Sequence, residues 1–345
     1  MGLRQRYKSQ VPILSGINLD SRLACKFAQK AKSYICPTGK QRSLDQSRLQ
    51  AHLALFAVAL IYGLNYSIAK DVMPDYLGPR GFILVRALGG VILFWLTAFI
   101  WRNEKTVLRD HWLFFVCGVF GVAANQLTFF EGLNITTPIN AAVMMTVNPI
   151  LVLLLSAVIL KETLRTARII GIVLGISGAM MLITRGGAEV DIFSSDKSLG
   201  NLLVFINASS YAMYLILVKP LMRKYAPITV IRWVFTYGLL VVLPFGYHQM
   251  AEIEWVYLPE GIILSIAFVV IGTTYFAYLL NVFALKTVSS TTVSFYIYLQ
   301  PLIAAIVAIM LGKDHLTPVL LLAATLIFAG VYLVSFFGRR AGRTR

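Results

Sequence analysis

The chain has 345 residues, 58% of them hydrophobic and 13% charged, with a mean hydropathy of +0.75. A soluble domain carries about 45–50% apolar and about 25% charged residues, so the composition excludes that class and indicates a polytopic membrane protein. The net charge of +16 would suit a nucleic-acid binder, but ten Lys and Arg stand in residues 1–48 against only Asp20 and Asp45, and the rest lie in short loops. No nucleic acid is therefore expected as a partner.

In chain order, residues 1–48 read as a basic, disordered cytoplasmic tail. An organelle transit peptide is the alternative, since the segment is basic and nearly free of acids. Ten apolar segments follow, near 51–69, 80–101, 112–131, 138–160, 167–184, 198–218, 228–248, 259–280, 288–312 and 316–337. A helix needs about 20 apolar residues to span a bilayer, and lipid offers no partner to exposed backbone groups, so each segment is expected to be a helix. Residues 338–345 form a second basic tail. Cys25, Cys36 and Cys117 show no paired spacing and His52, His111, His248 and His315 no cluster, so neither disulfides, a metal nor a cofactor is expected.

One stretch occurs twice. Ile139 to Leu164, INAAVMMTVNPILVLLLSAVILKETL, returns 152 residues later as Thr291 to Leu316, TTVSFYIYLQPLIAAIVAIMLGKDHL. Pro149 falls on Pro301, Lys161 on Lys313 and Glu162 on Asp314. Tyr62 and Lys70 match Tyr211 and Lys219 at an offset of 149, while Pro79 matches Pro227 and Gly178 matches Gly330. The chain thus divides into a first repeat at 49–186 and a second at 198–337, each of five spans. Five is odd, so the second copy must lie upside down relative to the first. The expected fold is all-α, ten transmembrane helices as two inverted five-helix repeats. Such repeats characterise secondary transporters, whose site lies near the midplane between the halves.

Lysine and arginine set the orientation. With the amino terminus inside, cytoplasmic segments carry 24 of them against five on the other side, Lys70, Arg80, Arg185, Lys197 and Lys313. Both termini are expected in the cytoplasm. The membrane expected is the plasma (inner) membrane, with an organelle envelope as the alternative.

YGLNYSIAK at the end of the first span, Pro79 followed by Arg86, NPILVLLLSAVILKETL, LQPLIAAIVAIMLGKDHL and a closing AGVYLV together carry a resemblance. The sequence resembles the EamA-type members of the drug/metabolite transporter superfamily over about residues 50–337. That resemblance implies spans one to four and six to nine around a central cavity, with five and ten peripheral. It also implies export or exchange of a small polar metabolite such as an amino acid. Asp314 departs from the glutamate usual in the family, but keeps its charge.

Several residues could carry the chemistry. Arg86 lies seven residues past Pro79, about 10 Å into its span. An arginine so placed tends to face a partner or a water-filled cavity, although snorkelling to the surface is the alternative. For Arg232, five residues past Pro227, snorkelling is the simpler expectation. Asn148 and Gln300 each sit beside a proline, which should free the carbonyls of Met145 and Ile297; Pro149 and Pro301 are therefore expected helix kinks. Tyrosines crowd the second half, among them Tyr211, Tyr275 and Tyr296, and could present an apolar face and a hydroxyl to a substrate.

The expected cavity is lined by Asn65, Arg86, Asn148, Tyr211, Gln300, Tyr275 and Tyr296, with a small-molecule substrate and the lipid bilayer as partners. Lys161 with Glu162 and Lys313 with Asp314 are expected as orientation or gating pairs at opposite faces. Glu131 could couple protons or merely end its helix. Gly171 and Gly175 offer a small-residue face for close helix packing. An intramembrane enzyme would need clustered acids or an H-E-x-x-H pattern, and neither occurs. An organellar sugar-phosphate antiporter, and a non-transporting receptor or scaffold using the basic tail, are the alternatives.

Overall fold

The computed structural model describes residues 39–73, 75–101, 104–184, 195–310 and 317–336. Ten helices there are long and apolar enough to cross a membrane, and no strand occurs among the described residues. They are α1 (Gly39–Val72), α2 (Pro79–Trp101), α3 (Leu108–Ile135), α4 (Asn140–Ile159) and α5 (Thr166–Thr184). The second five are α6 (Ser195–Lys224), α7 (Pro227–Ala251), α8 (Glu260–Leu285), α9 (Ser290–Val307) and α10 (Pro318–Phe336). The chain is a multi-pass, all-helical membrane protein. It divides into two units, Met1–Leu49 and Gln50–Arg345. Described residues 39–49 of the first are helical; the second unit holds the packed helices and the cavity.

Local chemistry explains where helices begin. Pro79, Pro227 and Pro318 each open a helix, where a missing N–H leaves nothing unpaired and φ is already helical. The Thr137 hydroxyl accepts from the Asn140 N–H at 3.2 Å, and the Ser289 hydroxyl from the Thr292 N–H at 3.1 Å. These two N-caps stand at repeat-matched positions and start the segments leading into α4 and α9.

The repeated proline does more than kink its helix. In α4 the helix stops at Met145 and restarts at Asn148; in α9 it stops at Phe295, passes through one 3-10 turn at Tyr296–Tyr298, and restarts at Leu299. Pro149 and Pro301 therefore fall in the first turn of a new helix, where backbone N–H groups lack partners anyway. One carbonyl at the α4 break, that of Thr146, finds its partner in the other half of the chain. It accepts a 2.9 Å hydrogen bond from the Tyr298 hydroxyl, so one break is closed by a side chain from the other.

Helices matched by the repeat pack against each other antiparallel. In α2 and α7, Gly81 N–H donates to Gln249 Oε1 at 3.1 Å, and the Phe94 ring lies 5.0 Å from that of Phe235. In α5 and α10, a Cβ on Gly171 would stand 3.0 Å from the Gly330 carbonyl, and one on Gly178 2.7 Å from that of Ala323. This is the close approach that small residues permit in lipid.

Two further departures from α-helix matter for the site. Val119–Ala123 in α3 and Val269–Phe276 in α8 are π-helical, and they occupy corresponding places in the two repeats. A π turn loosens the backbone ladder and often marks a functional position. At α3 the neighbours re-satisfy it: Ser210 Oγ donates to the Phe120 carbonyl at 2.7 Å and the Tyr278 hydroxyl to that of Gly121 at 3.1 Å.

Candidate functional site

A cavity opens between α1, α2, α3, α6, α8 and α9, with Met145 of the α4 segment at its edge. Neither α5 nor α10 contributes to its wall, as the resemblance implied, but α7, expected beside the others, contributes nothing either. It holds about 120 Å³ of positions for the centre of a water-sized sphere, where one water needs about 10–15 Å³.

Five of the seven expected residues meet there: Asn65, Arg86, Tyr211, Tyr296 and Gln300. Two do not. Asn148 is fully buried and spends its amide on the Ala208 carbonyl, 2.7 Å away, which ties α4 to α6. Tyr275 turns to α2 instead, its hydroxyl 2.7 Å from Thr97 Oγ1 and its ring 5.1 Å from that of Phe94. In both cases a partner on a neighbouring helix captures the polar atom that the sequence leaves open.

Arg86 dominates the site electrostatically. Its residue is only 5% exposed, and no Asp or Glu lines the cavity. Its Nε donates to Thr274 Oγ1 at 3.2 Å and its Nη2 to Thr273 Oγ1 at 3.3 Å. The guanidinium carbon stands 4.9 Å from the Phe130 ring centre and 6.0 Å from that of Phe82. Two neutral hydroxyls and aromatic faces hold a full positive charge.

The rest of the wall is amide and aromatic. Asn125, Gln126, Asn207 and Asn281 supply amides, and Tyr62, Tyr278, Phe129 and Phe130 supply rings. Some are committed to structure: Asn207 Nδ2 donates to the Asn125 carbonyl at 2.6 Å, and Gln126 Nε2 to the Tyr278 hydroxyl at 3.3 Å. Asn281, Thr273 and Thr274 escape the sequence reading. A pair of hydroxyls and an amide within an otherwise apolar span is the signal that could have found them.

The remaining candidates lie at helix ends. Glu131 pairs with Arg80 at 2.5 Å, near the ends of α3 and α2. Glu162 takes Lys219 at 2.9 Å and Arg168 at 3.0 Å, joining the end of α6 to the α4–α5 junction. Burial pushes the Glu162 carboxyl up, but hydrogen bonds and charge from Lys219 and Arg168 outweigh it and hold the group below its ordinary range. Lys161 is exposed with φ of 53°, and this left-handed turn lets the Glu162 N–H return to the Ser156 carbonyl at 3.1 Å. Lys313 and Asp314 lie outside the described residues. Among the described residues no group of three or more His, Cys, Asp or Glu could hold a metal.

Ten apolar membrane-spanning helices, six of them enclosing a polar cavity with Arg86 in its wall, define a solute-handling membrane protein. Comparison with known proteins makes the class specific. The EamA-like transporter family model matches twice, over residues 49–184 and 198–336, and the chain belongs to that family. Its role is that of a transporter. It is 24% identical over 292 residues to the uncharacterized transporter YyaM of Bacillus subtilis, covering 83% of this chain and 94% of the relative. It is 28% identical over 240 residues to a probable terminal-alkyne amino-acid exporter of Streptantibioticus cattleyicolor, covering 69% and 76% of the two chains. A solved crystal structure superposes with a TM-score of 0.68 at 18% identity, covering 85% of this chain and 99% of its own, a likeness of fold.

Proposed function

We propose that this protein is a secondary transporter, an exporter or exchanger, that moves a small polar metabolite bearing an anionic group, such as an amino acid, by alternating access. The observation that carries this reading is Arg86, a buried cation on the wall of a cavity lined by no acid. A charge within a span is costly unless something compensates it, and a substrate carboxylate would supply the missing partner. The relative named as an amino-acid exporter favours the same class.

Alternating access draws support from the repeat. Tyr298 bonds Thr146 and Tyr278 bonds Gln126, each pair 152 residues apart, the repeat offset. Residues matched by the repeat thus touch across the two halves, as expected if two inverted halves rock about a shared site. Glu162 with Lys219 and Arg168 would close one end in this conformation. The excess of Lys and Arg in one set of loops supports cytoplasmic termini, and the membrane proposed is the plasma membrane.

Arg86→Ala tests the reading. Amino-acid uptake or counterflow in vesicles should fall to background, while the variant still elutes as a folded, monodisperse protein in detergent. Uptake unchanged from the parent protein would defeat the proposal.

A further inference from the structure

The π turn of α8 stands beside Arg86 for a reason the transport reading alone does not supply. Each hydroxyl there has two duties: Thr273 Oγ1 donates to the Val269 carbonyl at 2.6 Å and Thr274 Oγ1 donates to the same oxygen at 3.0 Å, while both accept from Arg86. Successive residues of an α-helix point about 100° apart. Within the widened turn, two neighbouring threonines instead serve one carbonyl and one guanidinium. Glycines on α2 make room for this. A Cβ on Gly89 would stand 2.5 Å from Val270 Cγ1, and one on Gly90 2.9 Å from Thr274 Cγ2.

The geometry fixes which edge of Arg86 is used. Nε and Nη2 form the side edge of the planar guanidinium, and that edge is the one gripped by Thr274 and Thr273. The fork offers five N–H groups in a rigid plane, so Nη1 and the second Nη2 hydrogen remain as a parallel pair at the end edge. Two parallel N–H donors match a carboxylate or a phosphate, and the amino-acid class of substrate proposed above carries a carboxylate.

We propose that Thr273 and Thr274 are positioning residues that clamp the side edge of Arg86 and so present its end edge to a planar carboxylate of the substrate. This rests on the anion-site reading above and refines it: affinity for the anion is set by the π turn of α8 as well as by the arginine itself. Without the two hydroxyls the guanidinium keeps its charge but loses its fixed plane, and the neutral part of a ligand is unaffected.

The test measures dissociation constants of benzoate and of benzyl alcohol, the same ring without the carboxylate, by ligand-dependent melting of the purified full chain. Thr273→Val/Thr274→Val should weaken benzoate by about tenfold or more, the scale of lost hydrogen bonds to a charged group, and leave benzyl alcohol as in the parent. Thr273→Ser/Thr274→Ser keeps both hydroxyls and should restore benzoate binding. If the double valine protein does not fold, the single variants each leave one hydroxyl on Val269, and each should weaken benzoate by a smaller factor. Equal benzoate affinity in parent and valine proteins overturns the inference while leaving the anion site intact. So does an equal loss for benzoate and benzyl alcohol, or a failure of serine to rescue. Absence of benzoate binding to the parent overturns the anion site itself, and this inference with it.

Discussion

The two halves of the chain share a backbone plan but divide the chemistry. In each, the third helix of the repeat opens into a π turn that presses on a glycine of the second helix of the other half. Val122 Cβ of α3 lies 2.5 Å from where a Cβ on Gly238 would be, and Val270 of α8 lies equally near Gly89. At α8 this contact delivers two hydroxyls to Arg86. At α3 no arginine waits. The corresponding cation, Arg232, sits two residues nearer its helix start, where Nη2 donates to the Glu104 carbonyl at 2.8 Å. Its guanidinium lies 4.8 Å from the Trp95 ring centre and 5.9 Å from that of Trp233. A repeated backbone places cavities and breaks; unmatched side chains decide which half gives the shared cavity its cation.

Removing each arginine in turn tests that division most severely. Arg232→Ala should cost about 2–3 kcal/mol of stability, because a charged hydrogen bond and the stacking of a cation on two indole rings disappear together. Transport per folded molecule should survive. Thermal unfolding in detergent and vesicle transport normalised to folded protein measure the two effects separately. If Arg232→Ala abolished transport as Arg86→Ala is expected to, with stability untouched, the contrast between the halves would collapse.

A milder break targets the contact that joins the halves. Tyr298→Phe removes only the hydroxyl that serves the Thr146 carbonyl at the α4 break. A buried carbonyl left unpaired costs about 1–3 kcal/mol, so unfolding should shift by about that amount. Tyr296→Phe is the control within the same turn, since its hydroxyl meets the partly exposed His52 ring at 2.8 Å. A smaller loss there than at Tyr298 would locate the sensitive point at the cross-repeat bond.

How much of the molecule is legible in its sequence depends on where the information lies. Ten spans are legible because hydropathy is summed over about 20 residues, and the repeat because Pro149 and Pro301, with their flanking residues, recur at one offset. Arg86 is legible because a charge inside a span has few acceptable surroundings. Asn148 and Tyr275 are misplaced for a different reason. An amide or a tyrosine hydroxyl accepts many partners, and which helix supplies one depends on rotation about the axis. Ala208 and Thr97 are remote in sequence and give no sign of the pairing. The π turns are equally hidden, since one extra residue in a turn leaves the apolar run unbroken.

The smallest effect is expected at the ionic end of the first half. Glu162 holds Lys219 and Arg168 across the ends of α4, α5 and α6. Despite the upward push of burial, its partners keep the carboxyl below the ordinary value of 4.5. A lowered folded-state value means the unfolded chain binds its proton first as pH falls. The contribution to stability is therefore complete above 4.5 and disappears as pH falls through the folded value beneath it. Near neutral pH it should be flat. Because the side chain is about a quarter exposed, solvent and salt screen the pair, and Glu162→Gln should cost about 0–1 kcal/mol at neutral pH. Melting curves of parent and Glu162→Gln proteins, taken from neutral into acid, should converge below the folded value. A gap that persists unchanged into acid would mean the carboxylate's charge is not what joins these helix ends. The junction would then depend on the backbone turn at Lys161 and on packing, as the uncharged contacts between matched helices do elsewhere in the chain.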